Sequence, residues 1–541
     1  MKAIKSILLG SAAGFVSVAA AQAADLPSRK AAPIEYVRVC DAYGSGFFYI
    51  PGTETCLRVG GAVVAEWRAY STSYRNSRSI IGSNNPGTGI GFIPAVGNYS
   101  NARSGDNSAF SGTGRIELDA RTGTGFGTLR TFLRLESTFG SGTSAATGSL
   151  GGGEYFGGAN FGNGTIFRSP ARETTILNKA FIQFAGLTAG RVQSFFDFYT
   201  DNVSWEVLRG SNATVGALAY TYTFGGGFSG SVSIEDNVSR RGIIGSTIGN
   251  FNYVGFNNGL VGAPFAAAGA AWGTRFFGIP DGAQIPEIVA NLRYDAPWGA
   301  VQVSGAAHQI RTSLYTNGAA AANPTAYAIP ADTQSDYGFA VQLGTQFLLD
   351  KVAPNVFSAG DKLWIQATYE QGAVGYVMGN NLSFNGGPVN ANTFYGFGNG
   401  GVKASNGWDF NAFDCVWTAA GRCDKNEGWA VLAALKHYWT PTLSSGLVGS
   451  YLGLRYSNAA LASFGGGVGA VNTDEYRVGT NLIWTPVKNF DIGGEVFYLR
   501  DNHLNRPVGL APDFVMWAAG LPSWKGVNST IEGRLRVQRS F

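Results

Sequence analysis

The side chains that could do chemistry stand in charged rows, not in a catalytic set. Arg115, Glu117, Asp119 and Arg121 alternate along one stretch, and Arg130, Arg134 and Glu136 along the next. Alternate spacing places Lys179 and Arg191, on the two following segments, on the same face. The bases Arg115, Arg121, Arg130, Arg134, Lys179 and Arg191 outnumber the acids Glu117, Asp119 and Glu136, six to three. Such a wall holds water and orients dipolar solutes; it does not make bonds. A turn at Gly125 predicts that Arg115 faces Arg134 and that Asp119 faces Arg130, although parity also permits a slip of two residues. A further stretch, 194–215, carries Asp197, Asp201 and Glu206 against one base, Arg209. We expect it to fold inward and set its acids opposite the basic wall, with a transverse field between them.

Other chemistries find little support. The three histidines, His308, His437 and His503, are far apart in sequence, and HExxH, GxSxG and Walker patterns are absent. Gly151-Gly152-Gly153 and Gly225-Gly226-Gly227 lack the strand–glycine–helix setting of a phosphate site. His308 falls on the charged face of its segment and reads as a wetted histidine. Neither catalysis, a cofactor nor a metal is expected.

The elements that position these rows follow from periodicity. Ile531, Gly533, Leu535, Val537 and Phe541 fall on one face, and Thr530, Glu532, Arg534, Arg536, Gln538 and Ser540 on the other. Period two is the strand signal. It recurs in sixteen segments: 57–70, 113–122, 127–138, 177–185, 188–194, 215–224, 228–236, 287–295, 299–309, 336–348, 361–371, 427–438, 444–456, 474–485, 489–500 and 529–541. Short turns alternate with long links such as 71–112, 139–176, 237–286 and 372–426. This pattern predicts an all-β fold, a 16-stranded antiparallel transmembrane β-barrel with short periplasmic turns and long external loops. In a bilayer the sheet must close, because an open edge leaves backbone groups unsatisfied. The apolar face then meets lipid, and the charged face lines an aqueous lumen. Trp484, Tyr476, Tyr498, Trp439, Tyr438 and Tyr294 lie near segment ends, where interfacial girdles belong.

Composition agrees. The chain holds 78 glycines in 541 residues, and charged residues are only 14%, against about 25% in ordinary soluble proteins. The sole clean apolar run is N-terminal. Residues 1–23 read as a signal peptide: Lys2 and Lys5, an apolar stretch 7–18, then Ala21-Gln22-Ala23, with cleavage between Ala23 and Ala24. Loss of the two lysines lowers the formal charge from +4 to +2, which argues against a nucleic-acid partner. Residues 24–56 form an N-terminal periplasmic segment, and 57–541 the barrel. Four cysteines allow three disulfide connectivities; proximity favours Cys40–Cys56 and Cys415–Cys423 in an oxidising compartment.

Five stretches resemble the alphaproteobacterial general porins, the group of rhizobial and Brucella-type major outer-membrane porins. They are AQAADLPSRKAAP (21–33), VRVCDAYGSGFFYIPGTETCLRVGG (37–61), GRIELDARTGTGFGTLRTFLRLE (114–136), NKAFIQFAGLTAGRVQSFFDF (178–198) and RLRVQRSF (534–541). The resemblance implies a sixteen-stranded barrel in the bacterial outer membrane, a homotrimer, and passive diffusion of small hydrophilic solutes and ions. It also implies that the loop after the fifth strand constricts the pore. It places the Cys40–Cys56 stretch ahead of the first strand and makes Phe541 the recognition end for the outer-membrane assembly machinery. Membrane lipid and lipopolysaccharide complete the expected partners. Loops 237–286 and 372–426 exceed those of compact members. The alternatives are a substrate-specific channel and a surface adhesin with a plugged barrel; a secreted soluble β-protein fits worse, because its outward faces would have to be polar.

Overall fold

A computed structural model describes residues 38–70, 108–140, 172–200, 202–237, 240–245, 275–280, 284–317, 329–378, 412–418, 422–463, 470–505 and 526–541. The signal segment, with Ala23 and Ala24, and Asp201 lie outside these residues. The chain divides into two units, 1–57 and 58–541. In the first, Cys40 and Cys56 are disulfide-bonded and bury Phe47 between them, with Tyr43 and Tyr49 packed around.

Sixteen strands make the barrel, the first of them beginning at the last two residues of the first unit. They are β1 (Cys56–Tyr70), β2 (Ser108–Thr124), β3 (Gly127–Gly140), β4 (Arg172–Phe184), β5 (Leu187–Gln193), β6 (Thr214–Gly225), β7 (Phe228–Glu235) and β8 (Glu287–Ala296). The ring continues through β9 (Gly299–Asn317), β10 (Ile329–Leu348), β11 (Lys362–Gln371), β12 (Glu427–Thr440), β13 (Leu443–Arg455), β14 (Thr473–Val487), β15 (Phe490–His503) and β16 (Val527–Ser540). Each pairs antiparallel with its chain neighbour, and β1 pairs with β16, so the sheet closes. Every segment expected from periodicity is one of these strands. Short turns join β2 to β3, β4 to β5, β6 to β7, β8 to β9, β12 to β13 and β14 to β15; a single helical turn, Leu349–Val352, follows β10.

Burial follows the alternation. On β16, Ile531 and Leu535 are 50% and 58% exposed, whereas Glu532 and Arg534 between them are buried. Trp484, Tyr476, Tyr498 and Trp439 are likewise exposed outward, and Tyr294 stacks near Phe228 and Trp298. The exposed apolar band is what lipid requires, and the ladder satisfies the backbone there.

The strand pairing corrects two expectations. The β2–β3 turn is the pair Gly125 and Phe126, so the ladder is shifted by two residues. Arg115 faces Glu136, Glu117 faces Arg134, and Arg121 faces Arg130. Arg191 does not share a face with Lys179. Ala185 and Gly186, both with positive φ, make a two-residue turn that sets Arg191 opposite Ala180 and Gly216, on the side of Leu187 and Ala189. The long links also carry short strands. Arg275–Pro280 extends the sheet along β9. Ile243–Gly245, Phe413–Trp417 and Cys423–Lys425 form a separate three-stranded sheet, in which Cys415 and Cys423 are disulfide-bonded.

Candidate functional site

The segment between β5 and β6 runs inside the barrel along the walls of β7 to β16. Its backbone would be unsatisfied there without partners, and lumen-facing side chains provide them in order. Glu235 on β7 accepts from Ser194 Oγ at 2.7 Å and from the Phe195 amide at 2.9 Å. Asn291 on β8 donates to the Phe195 carbonyl, Gln302 on β9 to Asp197, and Gln342 on β10 to Phe196. Gln366 on β11 accepts from the Tyr199 amide at 2.9 Å. Farther along, Asn481 on β14 donates to the Val203 carbonyl, and Glu495 on β15 accepts from the amides of Trp205 and Glu206. Arg534 on β16 donates to the Trp205 carbonyl at 2.8 Å. Tyr199, Val203 and Leu208 add apolar contact with Trp364, Leu432, Val448 and Phe497.

This placement sets the role of the loop's charges. The Asp197 side chain is fully buried and ion-paired with Arg240 at 2.9 Å; Gln193 and the Ala213 amide also donate to it, each at 2.6 Å. Glu206 is buried between Arg477, at 3.3 Å, and Arg534. Arg209 is buried against Glu475, at 2.6 and 2.7 Å, and donates to the Met378 carbonyl. The expected inward fold is present, but Asp197 and Glu206 hold the loop in place and do not present free charge to the basic wall.

That wall lies on β2 to β4. Arg115 is paired with Glu136 at 2.6 Å and Arg134 with Glu117 at 2.8 Å. Asp119 joins Arg121, at 2.8 Å, and Arg130, at 3.0 Å, so the expected Asp119–Arg130 contact forms diagonally despite the shifted ladder. Phe132 and Phe181 stack with centroids 5.2 Å apart, and the Arg130 and Arg134 guanidiniums sit over Phe132 at 5.2 and 5.7 Å. Arg191 instead donates to the Asn178 carbonyl at 3.2 Å.

A second layer overlies the loop. Val374, Val377, Met378 and Ala412 are buried against Ala430, Leu452, Leu454 and Val471, and the Gly210 amide donates to the Val377 carbonyl. His308 is not wetted: it is fully buried, 2.6 Å from Glu287 and 3.4 Å from Asp414. The Tyr376 hydroxyl donates to Glu287 at 2.8 Å. Burial, then the Glu287 carboxylate, push the Tyr376 phenol well above its ordinary range. Among the described residues no group of three or more His, Cys, Asp or Glu could hold a metal ion.

Sequence reasoning missed the loop's anchors. Gln302, Gln342 and Gln366 recur at inward positions of consecutive β-hairpin strands, which is a usable signal. Glu475, Arg477 and Glu495 alternate in the same way along β14 and β15. Arg240 lies outside any periodic segment and carries no such mark.

A family model described as the porin subfamily matches residues 25–519. Porin Omp2b of Brucella canis is 33% identical over 299 residues, covering 54% of this chain and 69% of that protein. Porin Omp2b of Brucella abortus is 31% identical over the same extent. Among solved structures, the outer membrane channel DcaP of Acinetobacter baumannii aligns over 91% of this chain and 99% of its own, with 14% identity and a TM-score of 0.48. A match over nearly the whole chain, on a closed sixteen-stranded barrel with a loop pinned inside, makes the chain a member of the porin subfamily, a channel integral to the outer membrane.

Proposed function

We propose that small hydrophilic solutes and ions diffuse passively through the gap between the pinned loop 194–213 and the basic wall of β2 to β4. The observation that carries this reading is the one-sided attachment of the loop. Its hydrogen bonds to the facing wall go to strands of β7 to β16 and none goes to β2, β3 or β4 among the described residues, while Arg115, Arg121, Arg130 and Arg134 keep side chains 23–35% exposed. The wall therefore stays open to water, and a charged wetted gap disfavours apolar solutes, which must displace ordered water. A sugar-specific slide is less well supported, because the inward aromatics Phe132, Trp364 and Phe497 are buried.

The working unit is a homotrimer embedded in lipid and lipopolysaccharide, and Phe541 serves as the end read by the assembly machinery. The resemblance to general porins supports these assignments. Refolded protein in a planar bilayer tests the reading: large stepwise openings in triplets are expected. A plugged barrel is the second reading, favoured by the layer of Val374, Val377 and Met378 over the loop. A folded, heat-modifiable barrel that never conducts would establish it instead.

A further inference from the structure

We propose that Lys179, Arg134 and Arg115 form an anion subsite that makes the channel prefer small oxyanions, the class of phosphate and carboxylates. The inference rests on the diffusion reading above and names the solute class it favours.

Lys179 on β4 lies directly opposite Arg134 on β3. Like charges facing one another across a ladder are unfavourable unless something negative or well hydrated separates them. The acids within reach are already engaged. Glu117 is shared by Arg134, at 2.8 Å, and Arg115, at 4.0 Å. Glu136 accepts from Arg115 at 2.6 Å and from Asn178 at 3.1 Å. Asp119 holds Arg121 and Arg130, and Asp197 holds Arg240. Among the described residues Lys179 makes no ion pair within 4 Å; Asp197 and Glu117 act on it only from a distance. The Arg134 Nε is buried without an acceptor.

The acids on the pinned loop and beside it reinforce the sign. The side chains of Asp197, Glu206 and Glu475 have 0% exposure, so a passing cation does not reach them. A passing anion meets guanidiniums laid against the Phe132–Phe181 stack. A planar fork held in this way keeps its donors in a fixed arrangement that suits the oxygens of a carboxylate or phosphate.

The test uses the refolded full barrel in planar bilayers. A potassium chloride gradient should give a reversal potential of the sign for chloride preference. Phosphate added at constant chloride should lower chloride conductance saturably. Lys179→Gln should cut the anion-to-cation permeability ratio roughly two- to fivefold and abolish the phosphate effect, while Lys179→Arg retains both; heat-modifiable gel mobility confirms that each variant is folded. Cation preference, or equal phosphate sensitivity in wild type and Lys179→Gln, would overturn the subsite and leave the channel standing. A folded barrel without openings would overturn the channel reading, and the subsite with it.

Discussion

Gly61 and Phe541 exchange backbone hydrogen bonds in both directions, at 3.1 and 3.0 Å, where β1 meets the end of β16. A Cβ added to Gly61 would lie 2.7 Å from the Phe541 ring and would also strike the Arg115 carbonyl. The barrel's seam thus depends on a position with no side chain. Gly61→Val should destabilise the closed barrel by about 1–3 kcal/mol, the usual cost of overpacking. The check is the denaturant midpoint of the heat-modifiable form; an unchanged midpoint would mean that the seam yields freely.

Glu206 sits between Arg477 and Arg534 with no exposure. Glu206→Gln removes the carboxylate shared by two buried guanidiniums, which keep Glu475 and Glu532 as their other partners, so the defect should be about 1–3 kcal/mol, the cost of weakening hydrogen bonds to charged groups. The β-ladder is untouched, so the barrel should fold while the loop loosens. Single-channel records should then show higher and noisier conductance. Quiet, wild-type traces from the variant would remove Glu206 from its pinning role.

Asp197 and Arg240 are both fully buried, and Arg240 also lies 4.4 Å from the Tyr376 ring. A cycle of Asp197→Asn, Arg240→Gln and the double variant should give a coupling of about 1–3 kcal/mol. Protection of the loop amides against hydrogen exchange is the suitable readout, because it reports the loop and not the barrel. Strict additivity would show that the pair acts independently.

Tyr376 supplies a pH dependence. Its folded pKa lies well above its ordinary value, so the folded loop keeps the phenol protonated. For a group raised in this way, stability is fully present below the unfolded pKa of about 10 and is lost as pH rises beyond it. The layer at 374–378 should therefore loosen above about pH 10, and Tyr376→Phe should reduce that slope. Burial raises Tyr456 too, so part of the slope should persist. Hydrogen exchange after brief alkaline pulses measures both effects.

Reduction followed by alkylation should add four labels, and alkylation alone none, given the Cys40–Cys56 and Cys415–Cys423 bridges. Replacing Cys415 and Cys423 by Ser should cost the short sheet about 2–3 kcal/mol by loop entropy. Exchange at 412–418, where the Trp417 indole donates to Thr312, should rise accordingly.

Alternation with period two determined the strands, their inward and outward faces and the closed barrel, because a lipid-facing sheet must repeat apolar residues at every second position. Proximity along the chain favoured, among three connectivities, the two disulfides that the structure forms. The ladder itself was not legible: a shift of two residues preserves every face, so Arg115 could face Arg134 or Glu136 until the turn at Gly125 and Phe126 chose. A turn of two residues at Ala185 and Gly186 likewise decided the side of Arg191, since changing a hairpin's pairing by one residue reverses every side chain. The loop's acids looked free in sequence because their partners, Arg240, Arg477 and Arg534, lie 43, 271 and 328 positions away. Only the closed barrel brings those guanidiniums to them, and burial then compels each carboxylate to take a counter-charge.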